Sequence, residues 1–312
     1  MSRDRRPLAG YWQPSTWPVW FGLGLLRLVC MLPYRWALGI GASLGRLGHA
    51  IGGKRRAIVR RNLELCFPEL DEHDRNALAK RHFESLGMGL IEMGLCRFGS
   101  DALHERIGRL EGVEHLEAAT ATGRGVILLS GHFTTLELTG WLLKKEDPRI
   151  DAVYRKNRSD FITELQRSGR EVMAENTIEK RDTKGMVRSL RAGRLLWYAP
   201  DQSYDRAGAE VIEFFGVPSM HTTATSKLAR LGKAIVLPYF SERRDDKTYV
   251  HRILPPIDDF PSDDPIEDTK KYVRALEDNV RRCPEQYLWV HRKFKNLPEG
   301  YPDLYADLDA LK

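Results

Sequence analysis

Residues 17–34 (WPVWFGLGLLRLVCMLPY) are apolar except for Arg27, and a run of that kind predicts a single helix. At 1.5 Å per residue it reaches about 27 Å, just short of a hydrocarbon core of roughly 30 Å. Trp12, Trp17 and Trp20 lead into the run and Tyr34 and Trp36 follow it, like an interfacial aromatic belt. A buried core helix is the competing reading. A cleavable signal peptide fits less well, because no small-x-small site follows cleanly. The expectation is a membrane anchor that either spans the bilayer or lies in its interface. A second Gly-rich apolar stretch runs from Ala37 to Gly53, followed by the basic cluster Lys54, Arg55, Arg56, Arg60 and Arg61.

From Asp71 to about Phe98 the apolar positions Ala79, Phe83, Leu86, Leu90 and Met93 step by three and four, the period of an amphipathic helix. Beyond it the pattern changes. Short apolar or β-branched runs at 125–130, 151–154, 195–199, 211–215 and 235–240 read as strands. Helix-like segments lie between them at 134–145, 160–174, 183–192 and 220–231. This alternation predicts an α/β fold, a central and mostly mixed sheet wrapped by helices behind the N-terminal helix. The tail after Asn296, with Pro298, Gly300 and Pro302, predicts irregular backbone. The expected organisation is a basic membrane-anchoring and juxtamembrane segment, 1–61, followed by one folded domain, 62–312.

Composition narrows the class. With 42% hydrophobic and 29% charged residues the chain is globular and not disordered. Cys30, Cys66, Cys96 and Cys283 have no CxxC spacing, so neither a zinc cage nor a disulfide framework follows, and a cytosol-facing body is expected. Within residues 1–61 eleven Lys and Arg face Asp4 alone, although the whole chain carries only +6. A basic end on a mildly acidic body suits an anionic lipid surface. The cluster at 54–61 lacks interleaved aromatics, which argues against nucleic acid.

The chemistry concentrates in Gly125–Trp141. A buried strand ends at Ser130-Gly131 and a helix is expected from about Thr134, which puts His132 in the turn where open α/β sheets bind ligands. From the turn, Glu137 is expected to reach back and orient the imidazole. The spacing alone is no signal: nine His among 43 acids in 312 residues produce about one such pair by accident. The placement at a strand–turn–helix junction is the signal. No Gly-x-Ser-x-Gly and no HExxH is present.

Several blocks, in order along the chain, carry a resemblance. They are Arg60-Arg-Asn-Leu-Glu-Leu-Cys-Phe-Pro-Glu69, Phe83-Glu-Ser-Leu-Gly-Met-Gly-Leu-Ile-Glu92, His132-x4-Glu137, Tyr154-Arg155-x-Asn157, Trp197-Tyr-Ala-Pro-Asp201 and Pro284-Glu-Gln-Tyr-Leu-Trp-Val-His-Arg292. Over Tyr11 to about Tyr301 the chain resembles the late acyltransferases of lipid A biosynthesis, the lauroyl and myristoyl transferases, the lauroyl type most. The resemblance implies a glycerol-3-phosphate-acyltransferase-like fold and a membrane-bound enzyme on the cytoplasmic face of the inner membrane. It implies acyl carrier protein as donor, a Kdo-bearing tetra-acyl lipid A precursor as acceptor, and neither cofactor nor metal. His132 is then the general base and Glu137 its partner. Arg155 and Arg170 are candidates for acceptor phosphates, Asp201 for positioning the arginines or sugar hydroxyls, and Arg292 is a weaker candidate. Two rivals remain at this stage: a glycerolipid acyltransferase with a lysophosphatidic acid acceptor, and a non-enzymatic membrane-surface adaptor.

Overall fold

The computed structural model of the chain describes residues 8–205 and 208–309. Arg3, Asp4, Arg5 and Arg6 of the basic end lie outside them. The apolar run at 17–34 is two helices in part, not one. Helix α1 spans Trp17–Cys30 and α2 spans Tyr34–Ile51, with Pro33 at the α2 N-cap in a non-helical conformation (φ −51°, ψ 133°). Proline disfavours helical backbone in the residue before it, so the helix ends ahead of it. The 14 residues of α1 reach only about 21 Å. Among the described residues no helix is long and apolar enough to cross a membrane, which corrects the expectation of a spanning segment.

What α1 and α2 do present is an apolar outer surface. Phe21, Leu28, Met31, Trp36, Leu47 and Ile51 are all more than half exposed. The opposite face of α2 packs on the long helix α4, Glu72–Phe98. Glycine permits that approach. A Cβ on Gly45 would lie 2.0 Å from the Phe83 carbonyl oxygen, and one on Gly87 would lie 2.0 Å from that of Gly41. Small residues at a helix crossing let two backbones meet in this way. Helix α3, Gly53–Cys66, runs straight through the expected division at residue 61. Much of its basic cluster is spent inside the molecule: Lys54 pairs with Asp309, Arg55 donates to the Val290 carbonyl, and Arg61 pairs with Asp307.

Helix α5 (Asp101–Ile107) leads into strand β1 (Gly108–Glu111), α6 (Val113–Ala121), β2 (Val126–Leu129), α7 (Thr139–Glu146) and β3 (Ile150–Tyr154). Then follow α8 (Asp160–Arg170), β4 (Asn176–Glu179), α9 (Thr183–Arg191), β5 (Leu195–Tyr198) and the hairpin β6 (Ala209–Phe214) and β7 (Val217–Thr222). Helix α10 (Ala224–Gly232), β8 (Ile235–Arg243), β9 (Tyr249–Ile253) and α11 (Pro265–Arg282) complete the described elements above single-turn length. Seven strands form one sheet in the order β1-β9-β8-β2-β5-β3-β4. The run from β8 to β4 is parallel, β9 is antiparallel to β8, and β1 is parallel to β9, so the sheet is mixed as expected.

Strand β2 sits between β5 and β8, and all four of its residues are buried, which is why its sequence is an unbroken apolar run. The expected strands are all present. Those the pattern did not announce, β1, β4, β7 and β9, are short or polar pieces such as Gly108-Arg-Leu-Glu111 and Asn176-Thr-Ile-Glu179. The helix expected at 220–231 begins only at Ala224, because 220–222 closes the β6–β7 hairpin.

Several histidines are sealed inside this fold, among them His82, His221 and His251. His82 and His251 are 0% and 2% exposed, and burial pulls each down to about 4. Unfolded, a histidine titrates near 6.5. Between these values the unfolded chain binds more protons than the native one, so stability falls as pH drops from about 6.5 towards 4. Thermal melts between pH 7.5 and 4.5 should show a falling Tm across that window, and a flat Tm would refute it.

Candidate active site

The parallel strands β2 and β5 lie side by side and end at the same edge, and the residues just beyond them meet. From β2 the chain turns through Ser130 and Gly131 to His132. From β5 it runs through Ala199 and Pro200 to Asp201. His132 Nδ1 lies 2.5 Å from Asp201 Oδ1, and the His132 backbone N–H donates to Asp201 Oδ2 at 2.9 Å. A carboxylate only accepts, so this contact selects the Nδ1–H tautomer and leaves Nε2 with a free lone pair. The His132 side chain is 26% exposed and that of Asp201 only 1%, so the ring faces the opening while its partner is sealed behind it. Burial by itself would raise the Asp201 carboxyl. The adjoining His132 and Lys293 outweigh it and hold the group far below the usual carboxylate range.

The turn is clasped from the far side. Phe133 and Tyr287 form an isolated antiparallel bridge, Leu288 N–H donates to the His132 carbonyl at 3.0 Å, and Thr134 N–H donates to that of Gln286 at 2.7 Å. Residues 284–293 thus hold the His132 turn against the sheet edge. The helix expected from Thr134 starts at Thr139 instead, preceded by a single 3-10 turn at Leu136–Leu138. The N–H groups of His132 and Thr134 are both engaged, so neither is free to receive an anion.

Glu137 does not take the position expected of it. Its carboxylate faces Arg170, with Oε1 3.8 Å from Nη2, while Asp201 occupies the ring nitrogen of His132. The physical reason is the non-helical backbone of the turn together with strand adjacency: β5 delivers Asp201 directly beside the end of β2. Arg170 also donates to the Val153 carbonyl at 2.6 Å and stacks over Trp197, 5.6 Å from the ring centroid. Glu137 and Arg170 line a narrow cleft whose other walls are apolar, among them Leu136, Leu143, Ile150, Met173 and Trp197. Arg155 is exposed just past the end of β3 and is not brought to the His132–Asp201 pair. Arg292 pairs with Asp309 at 2.5 Å and stacks on Tyr305, a structural role at the C-terminal segment.

Three residues escaped the sequence reading. Lys293, 2% exposed, donates to the Asp201 carbonyl at 2.5 Å. His291 lines the same small cavity as His132 and Asp201, and burial pulls it down to about 4, so it is neutral. Gln286 grips the Arg243 backbone with both ends of its amide, accepting at 2.7 Å and donating at 2.8 Å. All three belong to the 284–293 segment, and an apolar motif followed by His-Arg-Lys was the available signal.

No thiol competes as nucleophile. Burial pushes Cys30 up to about 11 and Cys96 up to about 12, and carries Cys66 and Cys283 higher still, so none is a thiolate near neutral pH.

Comparison with known proteins identifies the family of the chain. Residues 9–296 match the family model for bacterial lipid A biosynthesis acyltransferases. A lipid A biosynthesis lauroyltransferase of Escherichia coli (strain K12) is 39% identical over 295 residues, covering 94% of this chain and 96% of that protein. A palmitoleoyltransferase of the same strain is 35% identical with 94% and 95% covered, and a myristoyltransferase is 26% identical with 95% and 92% covered. Among solved structures, the 1-acyl-sn-glycerophosphate acyltransferase of Thermotoga maritima aligns over 79% of this chain and 96% of its own at 12% identity and a TM-score of 0.34. The chain belongs to the bacterial lipid A biosynthesis acyltransferase family, and it is an acyltransferase.

Proposed function

We propose that the chain moves a fatty acyl group, of lauroyl length, from an acyl carrier protein thioester to the hydroxyl of a 3-hydroxyacyl chain on a tetra-acyl, Kdo-bearing lipid A precursor. The carrying observation is the His132–Asp201 pair at the end of β2, open at Nε2, with Glu137 a few residues on lining an apolar cleft. Nε2 removes the proton from the acceptor hydroxyl, and the oxygen attacks the thioester carbonyl. Asp201 stabilises the imidazolium that forms. The tetrahedral adduct then collapses, the C–S bond breaks, and the leaving thiolate recovers the proton from His132. No acyl-enzyme intervenes.

The apolar lining of the cleft suits the donor chain. Arg170, paired with Glu137 at that cleft, is positioned to meet either an acceptor phosphate or the charge developing on the thioester oxygen. Arg155, exposed at the end of β3, suits an acceptor phosphate in the manner of a guanidinium fork. Incubating the protein with acyl carrier thioesters and either the tetra-acyl precursor or lysophosphatidic acid tests this reading by product mass. Acylation of the precursor alone is expected. Acylation of lysophosphatidic acid alone overturns the acceptor assignment.

Attachment to the cytoplasmic face of the inner membrane belongs to the same proposal, with α1 and α2 lying in the interface and not spanning. The supporting observation is the apolar surface of Phe21, Leu28, Trp36 and Leu47, with Arg35 and Arg46 as exposed cations on the same helical pair. The double substitution Phe21→Glu and Leu28→Glu should release the protein from liposomes containing anionic lipid, whereas high salt alone should not, since apolar burial is insensitive to screening. Release of the intact protein by salt would leave only electrostatics holding it.

A further inference from the structure

We infer that Lys293 is a positioning residue for the transfer: a buried ammonium behind Asp201 that moderates the carboxylate's grip on His132 and so keeps the base unprotonated down to a lower pH. The inference rests on the proposed role of His132 as general base.

The geometry is a line of three groups. His132 faces the opening, Asp201 stands behind it, and Lys293 stands behind Asp201, its Nζ 2.5 Å from the Asp201 backbone oxygen. Lys293 is 2% exposed, and apart from the Asp201 oxygen its ammonium meets an aromatic face and a neutral imidazole, with no carboxylate oxygen of the described residues in direct contact. The Phe214 ring centroid is 4.8 Å from Nζ, and His221 Nε2 is 3.4 Å away. His221 is itself kept neutral, first by burial and then by this lysine. A buried charge on a long side chain is costly. Burial draws Lys293 down to about 8, with Asp201, Cys66 and Glu277 opposing, so near neutral pH it remains mostly protonated.

The charges around the pair come from several elements. Asp201 follows β5, and His221 is on β7. Cys66 on α3 and Glu277 on α11 act on Lys293, and His291 and Lys295 lie on its own segment. The buried phenols of Tyr272 and Tyr287 lie beside Asp201 and stay neutral. Within this set Asp201 stabilises a proton on His132, and Lys293 opposes it through the same carboxylate. Without the lysine the uncompensated Asp201 holds the imidazolium more tightly, and the base is lost at a higher pH.

The experiment is kcat/KM against pH for the full-length protein and for Lys293→Met and Lys293→Arg, each checked for folding by its melting transition. In Lys293→Met the acid limb should move to higher pH by about one unit, roughly a tenfold loss on the acid side, with activity largely recovered at alkaline pH. Lys293→Arg keeps the charge and should keep the limb in place. A Met variant that is folded, weakly active at every pH and unshifted overturns the inference. If the Met variant does not fold, a folded Arg variant with a limb shifted by a unit overturns it equally, and an unshifted one supports it. The parent reading is tested separately by His132→Ala: an acid limb that survives in its residual activity removes His132 as the titrating base, whatever Lys293 does.

Discussion

Replacing His132 with Ala should lower turnover by about 10²- to 10⁴-fold, the usual contribution of positioned proton transfer. The loss should come with little change in melting temperature, because the ring is part-exposed and the turn around it is held by backbone bonds to Gln286 and Leu288. Asp201→Asn preserves shape but removes the charge that stabilises imidazolium, and an amide can present its NH2 to Nδ1 and select the wrong tautomer. It should be comparably impaired, and the double variant should be little worse than either single one, because the two act as a unit. Glu137→Gln is the informative contrast. Its charge neutralises Arg170 in an otherwise apolar cleft, so turnover should fall there too, with the acid limb of the pH profile unmoved. If Glu137→Gln abolishes that limb while Asp201→Asn leaves it intact, the partner of the base is Glu137.

The second large effect concerns stability. Glu92, 0% exposed, accepts from Arg243 Nε at 2.6 Å and from the Tyr249 hydroxyl at 2.6 Å. Arg243 in turn donates to Ser85 Oγ at 3.1 Å and Thr134 Oγ1 at 3.3 Å, so one buried guanidinium ties α4, the β8–β9 pair and the His132 turn together. Glu92→Ala strands that cation in the interior. Breaking a buried pair from one side costs about 3–5 kcal/mol, a large share of an ordinary domain's stability. Urea unfolding should show the midpoint displaced accordingly. A shift below about 1 kcal/mol would mean that water or a shifted side chain satisfies Arg243. Glu92→Ala combined with Arg243→Met should recover part of the loss, because the uncompensated charge is then gone.

Much of the fold was written in local pattern. The buried run at 126–129 announced the central strand, and the stepping of Ala79, Phe83 and Leu86 announced α4. His132 fell in the turn after that strand as expected, since a four-residue apolar strand must end where Ser130 and Gly131 begin. The tryptophans and leucines at 17–36 predict a membrane anchor, and Phe21, Leu28 and Trp36 are exposed there. Periodicity did not reveal that Pro33 divides the run between two helices, neither of them both long and apolar enough to span.

What the chain's own order could not supply was adjacency between distant segments. In sequence Glu137 is five residues from His132 and Asp201 is 69 residues away, so local reasoning favours the glutamate. Only the sheet order, which sets β5 directly beside β2 although β3 and β4 intervene in the chain, brings Asp201 to the ring and leaves Glu137 to Arg170. The same holds for Lys293, placed by the 284–293 segment folding back over the turn. Side-chain type and hydrophobic period are local and travel with the sequence. The partner of a charge is decided by which strand ends coincide in space, and that is settled only when the whole sheet has formed.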